Sequence, residues 1–220
     1  MIFSKEQAHH AGTVVRLDGE RIRLVHEGRA YFATGMQEGK SFSALVTEED
    51  PNVNELHTEV TLCMALIRRE KMEWVLQKAT ELGVSRIVPF ESSRCVVHRK
   101  KEKTDRWMSI VTEAARQCKR NRIPEIVPAD DFANLGKYLS DVNLAGYENA
   151  WGTCGKTGQY LPADSCTVVI GPEGGFSEEE VEQLRQFGYQ PVTFGNRILR
   201  AETAAVYALS VIGEFDKESE

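Results

Sequence analysis

Hydrophobic and polar positions along this chain change their period once. Over roughly the first fifty residues the apolar positions alternate. Arg21-Ile22-Arg23-Leu24 and Ala30-Tyr31-Phe32-Ala33 read as half-buried strands, and Phe42, Ala44 and Val46 share one face of a third. His26-Glu27-Gly28-Arg29 and Glu38-Gly39-Lys40 supply the turns. Ahead of them, Ser4 caps a short helix with Gln7 at the capping-box position, and Ala8, Ala11, Val14 and Val15 follow at helical spacing. Hairpins this close together predict a small antiparallel barrel over residues 1–50. Thr47 to Thr58, with Glu48-Glu49-Asp50-Pro51-Asn52 and little apolar content, reads as a domain boundary.

Beyond it the pattern switches between strand and helix. Val60 to Ile67 reads as a buried strand. Met72, Val75, Leu76, Ala79 and Leu82 form one helical stripe ended by Gly83, and Val84 to Phe90 is the next strand. Trp107, Ile110, Val111, Ala114, Ala115 and Cys118 make a second stripe, with Arg116 and Arg120 one turn apart on the same helix. Val142 to Gly146 and Thr167 to Ile170 are further strands. Strands alternating with helices predict a parallel α/β sheet over residues 58–220.

Two strand ends in this half break at glycine and lead into helices. The first is Gly171-Pro172-Glu173-Gly174-Gly175-Phe176-Ser177, where Pro172 donates no backbone hydrogen bond and the paired glycines admit close approach to the backbone. Ser177 and Glu180 stand at a capping-box spacing. The second, after Val192 to Phe194, is Gly195-Asn196-Arg197-Ile198-Leu199-Arg200-Ala201-Glu202. Such turns either merely connect elements or bind a ligand at the carboxyl ends of the strands.

Composition narrows the class. The chain has 220 residues, 41% apolar and 27% charged, as a globular protein does. No apolar run is long enough to span a membrane, and Met1-Ile2-Phe3-Ser4-Lys5 leads into no signal-peptide core, so a cytoplasmic protein is expected. Cys63, Cys95, Cys118, Cys154 and Cys166 are scattered without a C-x-x-C pair, which predicts buried thiols and no metal site. No G-x-G-x-x-G follows a strand, which argues against a dinucleotide enzyme. Net charge is −6, yet from Arg94 to Arg122 ten bases (Arg94, Arg99, Lys100, Lys101, Lys103, Arg106, Arg116, Lys119, Arg120, Arg122) face three acids, a local +7. A basic strip on an acidic protein can hold phosphates, or can simply be a solvated face.

Ile170-Gly-Pro-Glu-Gly-Gly-Phe-Ser177 followed by Gly195-Asn-Arg-Ile-Leu-Arg-Ala-Glu-Thr-Ala-Ala205 resembles the RsmE family of SPOUT methyltransferases. Glu70-Lys71-Met72-Glu73, Gln77 to Val84 and Asn121 to Ile126 agree, as does the pair His9-His10, so the resemblance covers nearly the whole chain. It implies a knotted α/β methyltransferase domain, a PUA-like RNA-binding barrel at the N-terminus, S-adenosylmethionine (SAM) as methyl donor, and N3 of a uridine in small-subunit (16S) ribosomal RNA as acceptor. On that reading Gly171, Pro172, Gly174, Gly175, Gly195, Asn196, Ile198, Leu199 and Ala201 hold the cofactor. Arg94, Arg116, Arg120 and Arg122 contact RNA backbone, and no metal is needed.

The chemistry requires a group that takes or stabilises the N3 charge. Glu173 and Glu202 are the carboxylates nearest in sequence to the two turns. Each either orients the nucleotide, accepts a proton, or only favours a helix N-terminus. Arg200 either stabilises a uridine anion, holds a phosphate, or pairs with a glutamate. A ribose 2′-O-methyltransferase and a silent RNA-binding protein are the competing functions. From Ala204 to Phe215 the last helix carries one apolar stripe (Ala204, Ala205, Ala208, Val211, Ile212, Phe215) and an opposite face also free of charge (Val206, Leu209, Ser210, Gly213). A helix apolar on nearly all sides predicts burial on all sides, hence a homodimer; relatives of the resembled family dimerise through this region.

Overall fold

The computed structural model describes residues 3–99, 104–150 and 152–217. Met1, Ile2, Lys100, Lys101, Lys103 and the last three residues of the acidic tail lie outside the described residues. The chain forms two compact units: Met1–Asn54 with Arg120–Arg122, and Glu55–Lys119 with Ile123–Glu220.

The first unit is a meander. Strands β1 (Arg21–His26), β2 (Arg29–Glu38) and β3 (Ser41–Asp50) pair antiparallel in the order β1-β2-β3. Ala33, Phe42, Ala44 and Ile22 point to one side and meet Ala8 and Ala11 of the N-terminal segment, with the Phe3 ring edge-on to Phe42 at 5.2 Å. The sheet is open: β1 and β3 are its two edges among the described residues, so the expected closed barrel is not formed. Three strands are too few to curl back on themselves. The expected helical stripe also breaks. After α1 (Lys5–His9) the chain passes into a π-helical turn over His10–Val14, which slips the phase and leaves Val14 and Val15 exposed while Ala8 and Ala11 stay buried.

The polar stretch expected to be a boundary is a strand as far as Asp50. Ion pairs hold it: Arg21 to Glu48 at 2.6 Å and Arg23 to Asp50 at 2.7 Å. The Arg23 guanidinium bonded to Asp50 holds that buried carboxyl below the usual range. Residues 120–122 then complete this unit from far along the chain. Asn121 is buried; its Oδ1 accepts from Arg23 at 2.9 Å and from the Asn54 N–H at 3.3 Å, and its Nδ2 donates to the carbonyls of Gly28 and Asn52.

The second unit is a parallel sheet. Its strands are β4 (Glu59–Ala65), β5 (Arg86–Glu91), β6 (Glu125–Ile126), β7 (Asp130–Asp131), β8 (Val142–Gly146), β9 (Ser165–Ile170) and β10 (Gln190–Val192). They run in the order β10-β8-β9-β4-β5-β6, with β7 also on β5, and every pairing is parallel. Because side chains alternate along a strand, each central strand feeds two cores. Leu62, Met64, Ile87, Leu144, Val168 and Ile170 meet α2 (Arg69–Glu81), α3 (Thr104–Gln117) and α5 (Ala201–Glu214) on one face. Cys63, Ala65, Val88, Phe90, Ala145 and Val169 meet α4 (Glu178–Phe187) and the 3₁₀ segment Phe132–Tyr138 on the other. Burial on both faces explains why these strands read as continuous apolar runs.

Three further expectations change. Helix α3 ends at Gln117, Lys119 turns the chain through a positive φ of 61°, and Arg120, 7% exposed, is buried in the first unit. Arg120 therefore does not stand beside Arg116 on a helix face. Strand β10 ends at Val192, before Phe194. Leu209, assigned by spacing to the free face of α5, is 1% exposed and packs in the chain's own core. Val206 and Gly213 on that face are partly exposed and Ser210 is exposed.

Asn121→Ala would remove its side-chain bonds to Arg23 and to three backbone groups. It should destabilise the first unit by about 1–3 kcal/mol, read as faster amide exchange in β1 and β2 with α2 unchanged. Equal exchange in wild type and variant would show that the 120–122 segment does not hold that sheet.

Candidate active site

The parallel register of β10, β8 and β9 decides where the site lies. Val192 pairs with Gly146, and Ala145 with Val169, so the carboxyl ends of three neighbouring strands finish together. Each then turns at or near a glycine: Gly146-Tyr147-Glu148 after β8, Gly171 to Phe176 after β9, and Phe194 to Leu199 after β10. These turns, with Ile170 and with Ala201 and Ala204 of α5, line one cleft. It lies where an open parallel sheet receives ligands.

The glycines are required by what surrounds them. Gly175 has φ +66°, a conformation side chains disfavour, and a Cβ there would run into the Glu148 carboxylate. A Cβ on Gly146 would come within 2.6 Å of the Phe194 ring. The turn after β9 is closed by a bond from the Gly175 N–H to the Pro172 carbonyl at 3.0 Å. Ser177 then caps α4: its Oγ accepts from the Glu180 N–H at 3.1 Å, while the Glu180 carboxylate accepts from the Ser177 N–H at 3.0 Å.

Of the residues singled out by sequence, Gly171, Pro172, Glu173, Gly174, Gly175, Gly195, Ile198, Leu199 and Ala201 all line the cleft. Ile198 is 85% exposed, an apolar side chain standing at the rim. Asn196 is exposed on the same loop and does not line the cleft. Arg200 is the exposed N-cap of α5; its carbonyl accepts from the Ala204 N–H, while its side chain has no hydrogen-bond or ion-pair partner among the described residues. Sequence reasoning missed the whole third wall: Gly146, Tyr147 and Glu148. The glycine ending the predicted strand Val142 to Gly146 was the available signal, the same one used for the other two turns.

A lysine joins the two candidate carboxylates. Lys71, in the first turn of α2, has its Nζ 3.3 Å from Glu202 and 3.9 Å from Glu173. Glu202 Oε2 is buried and accepts no hydrogen bond among the described residues. One lysine is thus shared by two carboxylates, and a desolvated acceptor oxygen is left in place.

Part of the basic strip is ion-paired. Arg99 pairs with Asp131 at 2.5 Å, Arg106 with Glu73 at 2.8 Å and Arg116 with Glu113 at 3.7 Å. The Arg106 and Arg69 guanidiniums hold Glu73 down at about 2. Arg94 does not stand free either: its Nη1 donates to the carbonyls of Gly174 and Phe176, both at 3.2 Å. Arg116 and Arg122 are exposed.

The class of protein is that of an RNA methyltransferase: residues 54–213 match the RNA methyltransferase domain family. The relatives are narrower. The ribosomal RNA small subunit methyltransferase E of Bacillus subtilis (strain 168) is 34% identical over 94% of this chain and 87% of that protein, and the one from Mesomycoplasma hyopneumoniae (strain 232) is 32% identical over 95% and 92%. A crystal structure of a ribosomal RNA small subunit methyltransferase E from Neisseria gonorrhoeae bound to S-adenosyl methionine is 31% identical, covers 97% of this chain and 91% of its own, and superposes with a TM-score of 0.89. The chain belongs to the ribosomal RNA small subunit methyltransferase E family.

If the cleft depends on the left-handed turn at Gly175, Gly175→Ala should destabilise the protein by about 1–2 kcal/mol in urea unfolding. An unchanged midpoint would mean that the turn does not hold this conformation.

Proposed function

We propose that this protein transfers a methyl group from SAM to N3 of a uridine in 16S ribosomal RNA, as a cytoplasmic homodimer. The observation that carries this is the convergence of three glycine-broken turns at the carboxyl ends of neighbouring strands, in a chain whose relative bears SAM. The residues present suit that cofactor. Ile170, Phe176, Phe194 and Leu199 offer apolar walls for a purine, the turns offer backbone N–H and C=O groups for its edge and for ribose, and Glu148 offers an anion. The deep trefoil knot implied by resemblance would belong to the same turns.

Bound there, SAM would supply a methyl group on a good leaving group. The chain's own work is to place the uracil and manage the N3 proton. Glu202 Oε2, a buried acceptor without a donor, suits receiving that proton, with Glu173 beside it orienting the nucleotide. Lys71 holds the two carboxylates. Arg200, exposed and unpaired, suits the negative charge that develops on the uracil ring. Arg116 and Arg122 suit phosphates, and the first unit suits a PUA-like role in holding RNA outside the site.

The exposed face of α5 supports the dimer reading. Val206, Tyr207 and Ser210 stay at least partly exposed on a helix with no charged side chain between Glu202 and Glu214. A second copy covering that face would lie close to the Arg200 end of the cleft.

Ribosomal RNA from cells lacking the activity, incubated with the protein and SAM, should gain one methyl group that leaves with the base on hydrolysis. A methyl group retained on ribose would overturn the N3 assignment. Gly174→Val should abolish SAM binding in titration calorimetry while the chain stays folded; an affinity within twofold of wild type would remove this loop from the cofactor site. For the assembly, light scattering should give twice the 24.7 kDa chain mass, and Val206→Arg should lower both mass and activity. A fully active wild-type monomer contradicts the dimer.

A further inference from the structure

Arg94 lies in the basic strip, and spacing alone assigns it to RNA phosphates. Its surroundings assign it elsewhere. The segment Ser92-Ser93-Arg94-Cys95 is a closed turn following β5, with the Cys95 N–H bonded to the Ser92 carbonyl at 3.1 Å and the Ser92 N–H directed at the Cys95 sulfur at 3.3 Å. Ser92 and Cys95 are both buried, so the turn is anchored at each end. Its two middle residues reach across to the turn that follows β9. The Ser93 N–H donates to Glu180 Oε1 at 2.9 Å, on the carboxylate whose other oxygen caps α4 through Ser177. Arg94 Nη1 donates to the carbonyls of Gly174 and Phe176. Its backbone closes the fit: a Cβ on Gly174 would stand 3.1 Å from Arg94 Cβ and 3.4 Å from its carbonyl oxygen.

We infer that the Ser92–Cys95 turn is a strap and that Arg94 is a positioning residue for the cofactor loop. One guanidinium nitrogen bonded to two carbonyls two residues apart fixes the orientation of the peptides between them. Those are the peptides of Gly175, whose N–H is already committed to Pro172, and of Phe176, whose ring walls the cleft. Gly174 and Gly175 are the two residues here with most backbone freedom to lose. Without the strap the loop would sample conformations that do not complete the cleft, and a ligand would have to order it on binding. Glycine at 174 thus has a reason besides ligand approach: the strap packs against it.

The proposal rests on the reading of this cleft as the SAM site, and the test separates the two. Hydrogen exchange on the protein alone needs no ligand. In Arg94→Ala the amides from Gly171 to Ser177 should exchange faster, with β4 and α2 unchanged. In turnover assays the KM for SAM should rise about tenfold, as expected for loss of hydrogen bonds from a charged group, while kcat at saturating SAM stays within about twofold. The salt dependence of RNA binding should keep its slope, whereas a lost phosphate contact would lower it by about 0.9. Arg94→Lys keeps the charge but shortens the reach; it should share the alanine variant's fast exchange and high KM. Unchanged exchange in the loop, an unchanged KM, or a flattened salt slope with full rescue by lysine would overturn the proposal. Failure of the wild-type protein to bind SAM would instead fall on the site assignment, since the exchange result stands without it.

Discussion

The parallel pairing of β10, β8 and β9 is the constraint on which the rest of this protein's site depends. Parallel strands cannot be joined by hairpins, so each of these strands must be entered from the same end and left at the other. The register ends all three within a residue or two of each other. Three exits then crowd one edge, and close packing there admits glycine where larger residues collide: at Gly146 against Phe194 and at Gly175 against Glu148. The cleft is what remains between turns that cannot pack more tightly.

Charge on the second unit is partly paired. Of a strip that counts as +7 in sequence, Arg99 and Arg106 meet Asp131 and Glu73 from outside it, and Arg116 meets Glu113, one of the strip's own acids. What stays unpaired is more informative. The Arg200 side chain has no partner and Glu202 Oε2 has no donor among the described residues, and the two residues are two apart at the start of α5. Lys71, from a different helix, joins Glu202 to Glu173 across the two turns. A buried unsatisfied carboxylate oxygen is costly in a folded protein, and a substrate donor is one way to relieve it.

The sheet, its helices and two of the three cleft walls were legible because their signals are local. Buried strands such as β4 and β9 read as apolar runs, α2 and α3 as stripes, and Ser177 with Glu180 as a helix start. What was not legible depends on long-range contacts. Asn121 returns to the first unit through bonds with Arg23, Asn54, Gly28 and Asn52, none close in sequence. The acidic end of β3 looks like a linker until Arg21 and Arg23 are placed opposite it. Leu209 and Arg120 were assigned by spacing on helices, and packing placed them otherwise. Arg94 counted as one more base in a strip because its carbonyl partners lie some eighty residues away.

The central claim is that the turns at residues 146–148, 171–176 and 194–201 together form the cofactor site. Backbone NMR of the isotopically labelled protein titrated with SAM tests it most directly. The account predicts that the amides of all three segments shift together with one dissociation constant, while β1 to β3 stay unmoved. Shifts absent from the Gly146–Glu148 wall, or centred outside the three turns, would contradict it.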